Sequence, residues 1–145
     1  MHVQNPNYRE NVERIMASAP FIRHLGIAVA ALSDGSCESA MTVQPFLCQQ
    51  DGFVHAGVLA TIADHTAGAA AGTLIAADET ILSSSFDVHL LRPARGEVVT
   101  CVSRVVRQGR SLIVCASDVH CGGKLAVAAT VTLAVVKRAR LTTPP

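Results

Sequence analysis

The chain has no tryptophan, one tyrosine and four phenylalanines, so aromatic residues make up 3% of a sequence that is half hydrophobic. Its core must be built from Val, Ala, Leu and Ile, whose small side chains let backbones approach closely. Charge of one sign is also lacking: the formal net charge is +1 and the basic residues are scattered. That argues against nucleic acid as a partner, because a duplex-binding protein needs a concentrated basic footprint. The N-terminus, "MHVQNPNYRENVERIM", mixes acidic and basic residues and has no apolar run of the kind a secretory signal requires, which predicts a cytoplasmic chain. Five cysteines (Cys37, Cys48, Cys101, Cys115, Cys121) form an odd set without framework spacing, which suits reduced thiols used as small hydrophobes. "CASDVHC" does not read as a metal site: on a strand, Cys115 and Cys121 take one face while Asp118 and His120 take the other.

At this length a single domain is expected over residues 1–145, with an N-terminal helical segment at 1–19 and a frayed or surface-bound tail at 138–145. In "NYRENVERIM", Val12, Ile15 and Met16 share one helical face, and Pro6 sits where a helix start tolerates it. "LGIAVAALSDGSCESAMTV" reads as two strands around an Asp34-Gly35 turn, followed by a polar loop, "LCQQDGFV". Four runs rich in Val, Thr and Ile, at 80–91, 97–107, 111–121 and 124–136, are separated by short links containing Gly or Pro. Such short links force antiparallel pairing. The expectation is an α+β domain, an antiparallel sheet with one long helix available to cover its apolar face.

That helix is predicted from about Val54 to Ala77, some 36 Å at 1.5 Å per residue. Asp64, His55 and His65 within it, and the sheet pattern around it, argue against a membrane span. Helical spacing puts Gly57, Ala60, Thr61, Asp64, Gly68 and either Ala71 or Gly72 on one stripe, with Val58, Leu59, Ile62 and Leu74 elsewhere. Asp64 thus looks out along a groove of tiny side chains, fit for a second backbone or an elongated ligand. Equally, it reads as a buried acid bonded to a neighbouring backbone group. His55 precedes Asp64 by nine residues, which places the two on opposite sides of a continuous helix. Either His55 belongs to the preceding loop as a cap, or a second subunit brings its copy to this Asp64 across a two-fold axis.

"FVHAGVLATIADHTAGAAAG" resembles the helix start of the hotdog-fold acyl-coenzyme A thioesterases of the phenylacetate-degradation (PaaI-like) type, His-Gly-Gly-Val followed by Asp or Glu. "APFIRHLGIAV" is similar to that family's opening strand, "SSSFDVHLLRPARGE" to its strand and turn after the helix, and "VVRQGRSLIVCASDV" to the next hairpin. The resemblance implies a hotdog fold, with the sheet wrapped around the helix. It also implies hydrolysis of an acyl-CoA thioester in a site shared between the subunits of a homodimer or a dimer of dimers (homotetramer), without cofactor or metal. By position, it assigns Asp64 as nucleophile or base for water, and Gln49 and His55 as groups orienting the thioester from the opposite subunit. The Ala56 N–H would polarise the carbonyl, and Ser83 would assist water. Ala56 stands where the family usually has Gly. Gly57, Thr61 and Gly68 would border the substrate, and Arg92, Gly109 and Arg110 would meet the CoA phosphates.

Two other readings keep the same fold. A hydratase or dehydratase would pair the helix acid with an upstream His, and the region of Gln49, Gln50 and Asp51 has none. A non-catalytic acyl-ligand-binding or dimerisation module would retain the fold without turnover. A Ser-His-Asp hydrolase drawing on Ser83 or Ser85 with Asp87 and His89 lacks a nucleophile elbow, and its Asp and His alternate along one strand face. The scarcity of aromatics offers no stacking platform for an aryl ester and tilts the expectation toward aliphatic acyl chains.

Overall fold

The computed structural model describes residues 1–141. Its elements are α1 (Tyr8–Ser18), α2 (Pro20–Leu25), β1 (Ala28–Ser33), β2 (Ser36–Thr42), α3 (Ala56–Gly72), β3 (Glu79–Leu90), β4 (Val98–Gln108), β5 (Leu112–Cys121) and β6 (Lys124–Lys137). The six strands form one antiparallel sheet in the order β1-β2-β4-β5-β6-β3: the short links pair β1 with β2, β4 with β5 and β5 with β6 as expected, whereas β3, though joined to β4 by a short link, pairs with β6 instead. The long helix, α3, lies across it. On β5 the burial alternates strictly, with Ile113, Cys115, Ser117, Val119 and Cys121 turned to the helix. The buried cysteines pack as small hydrophobes: burial pushes the thiols of Cys37 and Cys115 up to about 12.

What holds α3 to the sheet is small and partly polar. Leu59 and Ile62 bury fully against the strands, as do Ala63, Ala67 and Ala70. Beneath them, Ser117 Oγ donates to Ala63 O at 3.0 Å, Cys115 Sγ to Ala67 O at 3.6 Å, and Thr66 Oγ1 to Ile62 O at 2.6 Å. Ser103 Oγ bonds Ser117 Oγ at 2.6 Å, and Ser39 Oγ bonds Thr66 Oγ1. Each of these hydroxyls is sealed from solvent and satisfied, which fixes both the rotation and the slide of α3 on the sheet.

The opposite side of α3 is covered by the N-terminal helices. Val12 and Met16 of α1 are buried, and a Cβ placed on Gly72 would sit 3.2 Å from Val12 Cγ2, so the glycine lets the two helices close up. Tyr8 Oη donates to Asp34 at 2.6 Å and Arg9 Nη2 to Leu32 O at 2.6 Å, tying α1 to the β1–β2 hairpin. Residues 20–25, expected to lead into the first strand, instead form α2. Pro20 occupies its first turn, and Gly26, at φ +73°, caps its end with an N–H bonded to Arg23 O. The helical segment therefore runs past residue 19. At the start of the tail, Arg138–Arg140 form a 3₁₀ turn, with Arg138 partly buried and its N–H bonded to Asp78 O at 3.0 Å. Residues 142–145 lie outside the described residues.

Ser117→Ala removes a buried donor to Ala63 O and the partner of Ser103 Oγ. Urea denaturation is expected to show a loss of about 1–3 kcal/mol with the slope unchanged.

Candidate active site

Asp64 projects from the middle of α3, half-buried, and accepts a 2.6 Å hydrogen bond from Ser83 Oγ on β3. A β-bulge makes this contact possible. The β3–β6 register shifts between Ser83, opposite Leu133, and Ser85, opposite Thr132. Without that extra residue, Ser83 would share its face with Phe86's neighbours Asp87 and His89. With it, Ser83 and Phe86 both turn toward α3, while Asp87 and His89 stay exposed as a 3.4 Å pair on the outer face.

Asp64 and His65 stand where two spaces join. One is an open depression bordered by Phe21, Gly57, Ala60, Thr61 and Phe86. The other is a cavity of about 180 Å³ beneath α1, reached past Gly68 and Gly72. The predicted stripe of small residues is thus a real groove, with Gly72 on it and Ala71 buried on another side. A Cβ on Gly68 would meet only Ile81 Cδ1, at 3.7 Å, so the glycine leaves usable space rather than a tight contact. His65, not among the residues expected here, lines both spaces. Burial lowers its pKa against the opposing pull of the Asp64 carboxylate, and its Nε2 has no hydrogen-bond partner. The spacing 65, 68, 72 is itself helical and carried that signal. Arg138 also reaches the cavity from beyond β6.

The remaining predicted residues lie elsewhere. His55 is the N-cap of α3: its Nδ1 accepts from Gly57 N at 2.9 Å. An imidazole bonded this way keeps its proton on Nε2, which points a single donor outward. Gly57 permits the cap, since a Cβ there would press to 3.2 Å from Nδ1. Thr61 Oγ1 bonds back to Gly57 O at 2.8 Å. Ala56 N–H, exposed at the positive end of the helix, has no acceptor among the described residues. Gln49 sits in the preceding loop, where its Oε1 accepts from Asp51 N and its backbone N–H bonds Phe53 O at 2.8 Å; its amide nitrogen is left to donate.

Within one chain these residues form two groups at opposite ends of the sheet. The Gln49–His55 loop is anchored to the β3–β4 connection through Val54 N to Ala94 O, at the end that carries exposed Arg92. Asp64 and Ser83 lie toward the other end, where β4 turns into β5 at Gly109 and Arg110. Leu91 N bonds Ala126 O, whereas Leu112 pairs with Ala134, so the two ends are about 26 Å apart along β6. Asp64 is likewise separated from His55 by about 13 Å of helix and half a turn. The Gly109 N–H is already engaged by Leu112 O at 2.9 Å, and a Cβ there would lie 2.6 Å from the same oxygen. Gly109 therefore shapes the turn that presents Arg110 and offers no free amide of its own.

A sequence model of the thioesterase superfamily matches residues 51–128, the span from the Gln49 loop to the middle of β6. A thioesterase family protein from Silicibacter pomeroyi is 31% identical, superposes with a TM-score of 0.88 and aligns over 90% of this chain and 99% of its own. A Haemophilus influenzae thioesterase is 25% identical with a TM-score of 0.83, over 94% of this chain and 96% of its own. The PaaI protein of the Escherichia coli phenylacetic acid degradation operon shares the fold, at 18% identity and a TM-score of 0.82 over 89% and 93%. With the antiparallel sheet around a central helix and an acid facing a groove, the chain belongs to the thioesterase superfamily, a hotdog-fold thioester hydrolase.

Proposed function

We propose that the protein hydrolyses acyl-coenzyme A thioesters in a site assembled from two copies of the chain. The observation that carries this reading is the Asp64–Ser83 pair at the mouth of an acyl-sized cavity. Ser83 fixes one carboxylate oxygen and leaves the other to take a proton from water. The water attacks the carbonyl carbon, the oxyanion is held by the Ala56 N–H at the other copy's helix start, and the C–S bond breaks to release the CoA thiolate. A thiolate is a good leaving group, so no strong general acid is required. The small residues at Gly57, Thr61 and Gly68 leave the path open from the depression to the cavity.

Support for the second copy comes from β3. It is a 12-residue edge strand with nothing paired on its outer side among the described residues. Phe86 and Leu90 face the helix side yet are 51% and 55% exposed. A long edge with uncovered apolar residues calls for pairing. Two β3 strands joined antiparallel across a two-fold axis set one chain's Gln49–His55 end beside the other's Asp64–Ser83 end. The same operation brings Arg92 of one chain toward Arg110 of the other, giving the CoA phosphates two cationic groups.

Asp64→Asn is expected to lower thiol release from acyl-CoA esters by at least about 10²-fold, the scale of positioned acid–base help, in an assay blanked for the protein's own cysteines. Equal rates would remove Asp64 from the reaction. The shared site is tested by mixing inactive chains. Asp64→Asn is co-refolded with a Gln49→Ala/His55→Ser chain, in which Ser preserves a helix cap. Heterodimers hold one intact site, so activity should return to about a quarter of wild type; no recovery would place the whole site within one chain. Gly68→Leu fills the cavity, and the ratio of kcat/KM for long over short acyl chains is expected to fall by about tenfold or more.

A further inference from the structure

Among the described residues, two buried side-chain nitrogens lack a hydrogen-bond partner: His65 Nε2 and Arg138 Nη2. Both line the same cavity. His65 adjoins Asp64 and lies within reach of the reacting end. Arg138 does not. It follows β6, its backbone is bonded to Asp78 O, and it lines the cavity from five residues past Leu133, the β6 partner of Ser83. From Asp64 to Gly72 the helix advances about 12 Å.

A guanidinium nitrogen enclosed without an acceptor is costly, and native proteins meet that cost with a counter-charge or a ligand. Arg138 enters no ion pair among the described residues. The neighbouring acids are engaged elsewhere: Asp78 and Glu79 both pair with Lys137, and Glu79 also accepts from Ala76 N. Much of the remaining lining is apolar, including Val12, Ile15, Met16, Ile75, Ile81 and Leu133, with Asn11 and Thr80 also present and no Phe, Tyr or Trp. A volume of about 180 Å³ compares with the roughly 150 Å³ of a cavity that holds one benzene. The space thus fits a medium-length aliphatic chain, polar at its far tip.

Resting on the acyl-CoA reading above, we infer that the cavity selects acyl groups ending in a carboxylate, ω-carboxyacyl thioesters, with Arg138 binding the distal carboxylate. Guanidinium and carboxylate match in geometry and charge, and a chain lacking that terminus leaves the cation unpaired. Unsubstituted acyl chains of the same length are therefore the poorer substrates.

The test uses a matched pair, octanoyl-CoA and the monothioester octanedioyl-CoA. Wild type is expected to favour octanedioyl-CoA by at least about tenfold in kcat/KM, because a site built to pair a polar group discriminates strongly against its absence. Arg138→Met should collapse that preference, chiefly through KM for octanedioyl-CoA. Independently of any variant, free octanedioate should bind the wild-type protein more tightly than octanoate in calorimetry. Equal rates on the two esters, or a preference for octanoyl-CoA, would overturn the inference while leaving the thioesterase reading intact. Should neither ester nor any other acyl-CoA turn over, the activity reading fails, and the calorimetric comparison alone decides whether Arg138 recognises a carboxylate.

Discussion

The hydroxyl and thiol groups sealed between α3 and the sheet are the constraint on which the rest of the molecule depends. An alanine-rich helix on an aliphatic sheet could rotate or slide with little change in buried area, because one small side chain resembles the next. Ser117 and Cys115 of β5 remove that freedom by reaching particular helix carbonyls, Ala63 and Ala67, and Ser39 of β2 does so by bonding the Thr66 hydroxyl. Once that face is locked down, the residues half a turn away are committed to the opposite side. Those residues are Asp64, Gly68 and Gly72, so the polar bonds in the core decide where the carboxylate points.

Placing the acid this way also divides the chemistry. The helix start, with its cap and free amide, must lie at one end of the sheet, and the acid at mid-helix faces toward the other. On the proposed mechanism, one copy of the fold offers electrostatic help and base at sites too far apart to act together. In the proposed dimer the edge strand β3 reconciles them, because it borders the acid's side of the sheet and carries the uncovered Phe86 and Leu90. A strand edge that would be a liability in a monomer becomes, in that dimer, the means of completing the proposed site.

Much of this was legible in the residues. The Val, Thr and Ile content of the four C-terminal runs and the Gly- and Pro-containing links between them located β3 to β6 within about two residues, and the acid and its glycine groove follow from helical spacing. Three features were not legible, each for its own reason. "PFIRHL" carries apolar residues at spacings compatible with strand or helix, and the choice rests on Pro20 and the left-handed Gly26. The run "SSSFDVH" gives no hint of which serine is extra, so alternation assigns Ser83 to the solvent face; only the register against Leu133 and Thr132 reveals the bulge. Arg138, inside the basic stretch "KRAR", reads as a solvated tail residue, and its burial depends on the turn that follows β6.

His55 shows how two demands converge on one side chain. Its Nδ1 closes the first turn of α3 by accepting from Gly57, and the outward Nε2 is what the proposed site would present to substrate. The helix thus presets the tautomer and the aim of the ring before any ligand arrives. Position 55 is therefore under double jeopardy during evolutionary drift. An apolar replacement loosens the helix start and would also empty the proposed site, and a change that spares folding must pass through Ser, Thr, Asn or Asp, which cap well but lack the reach of an imidazole.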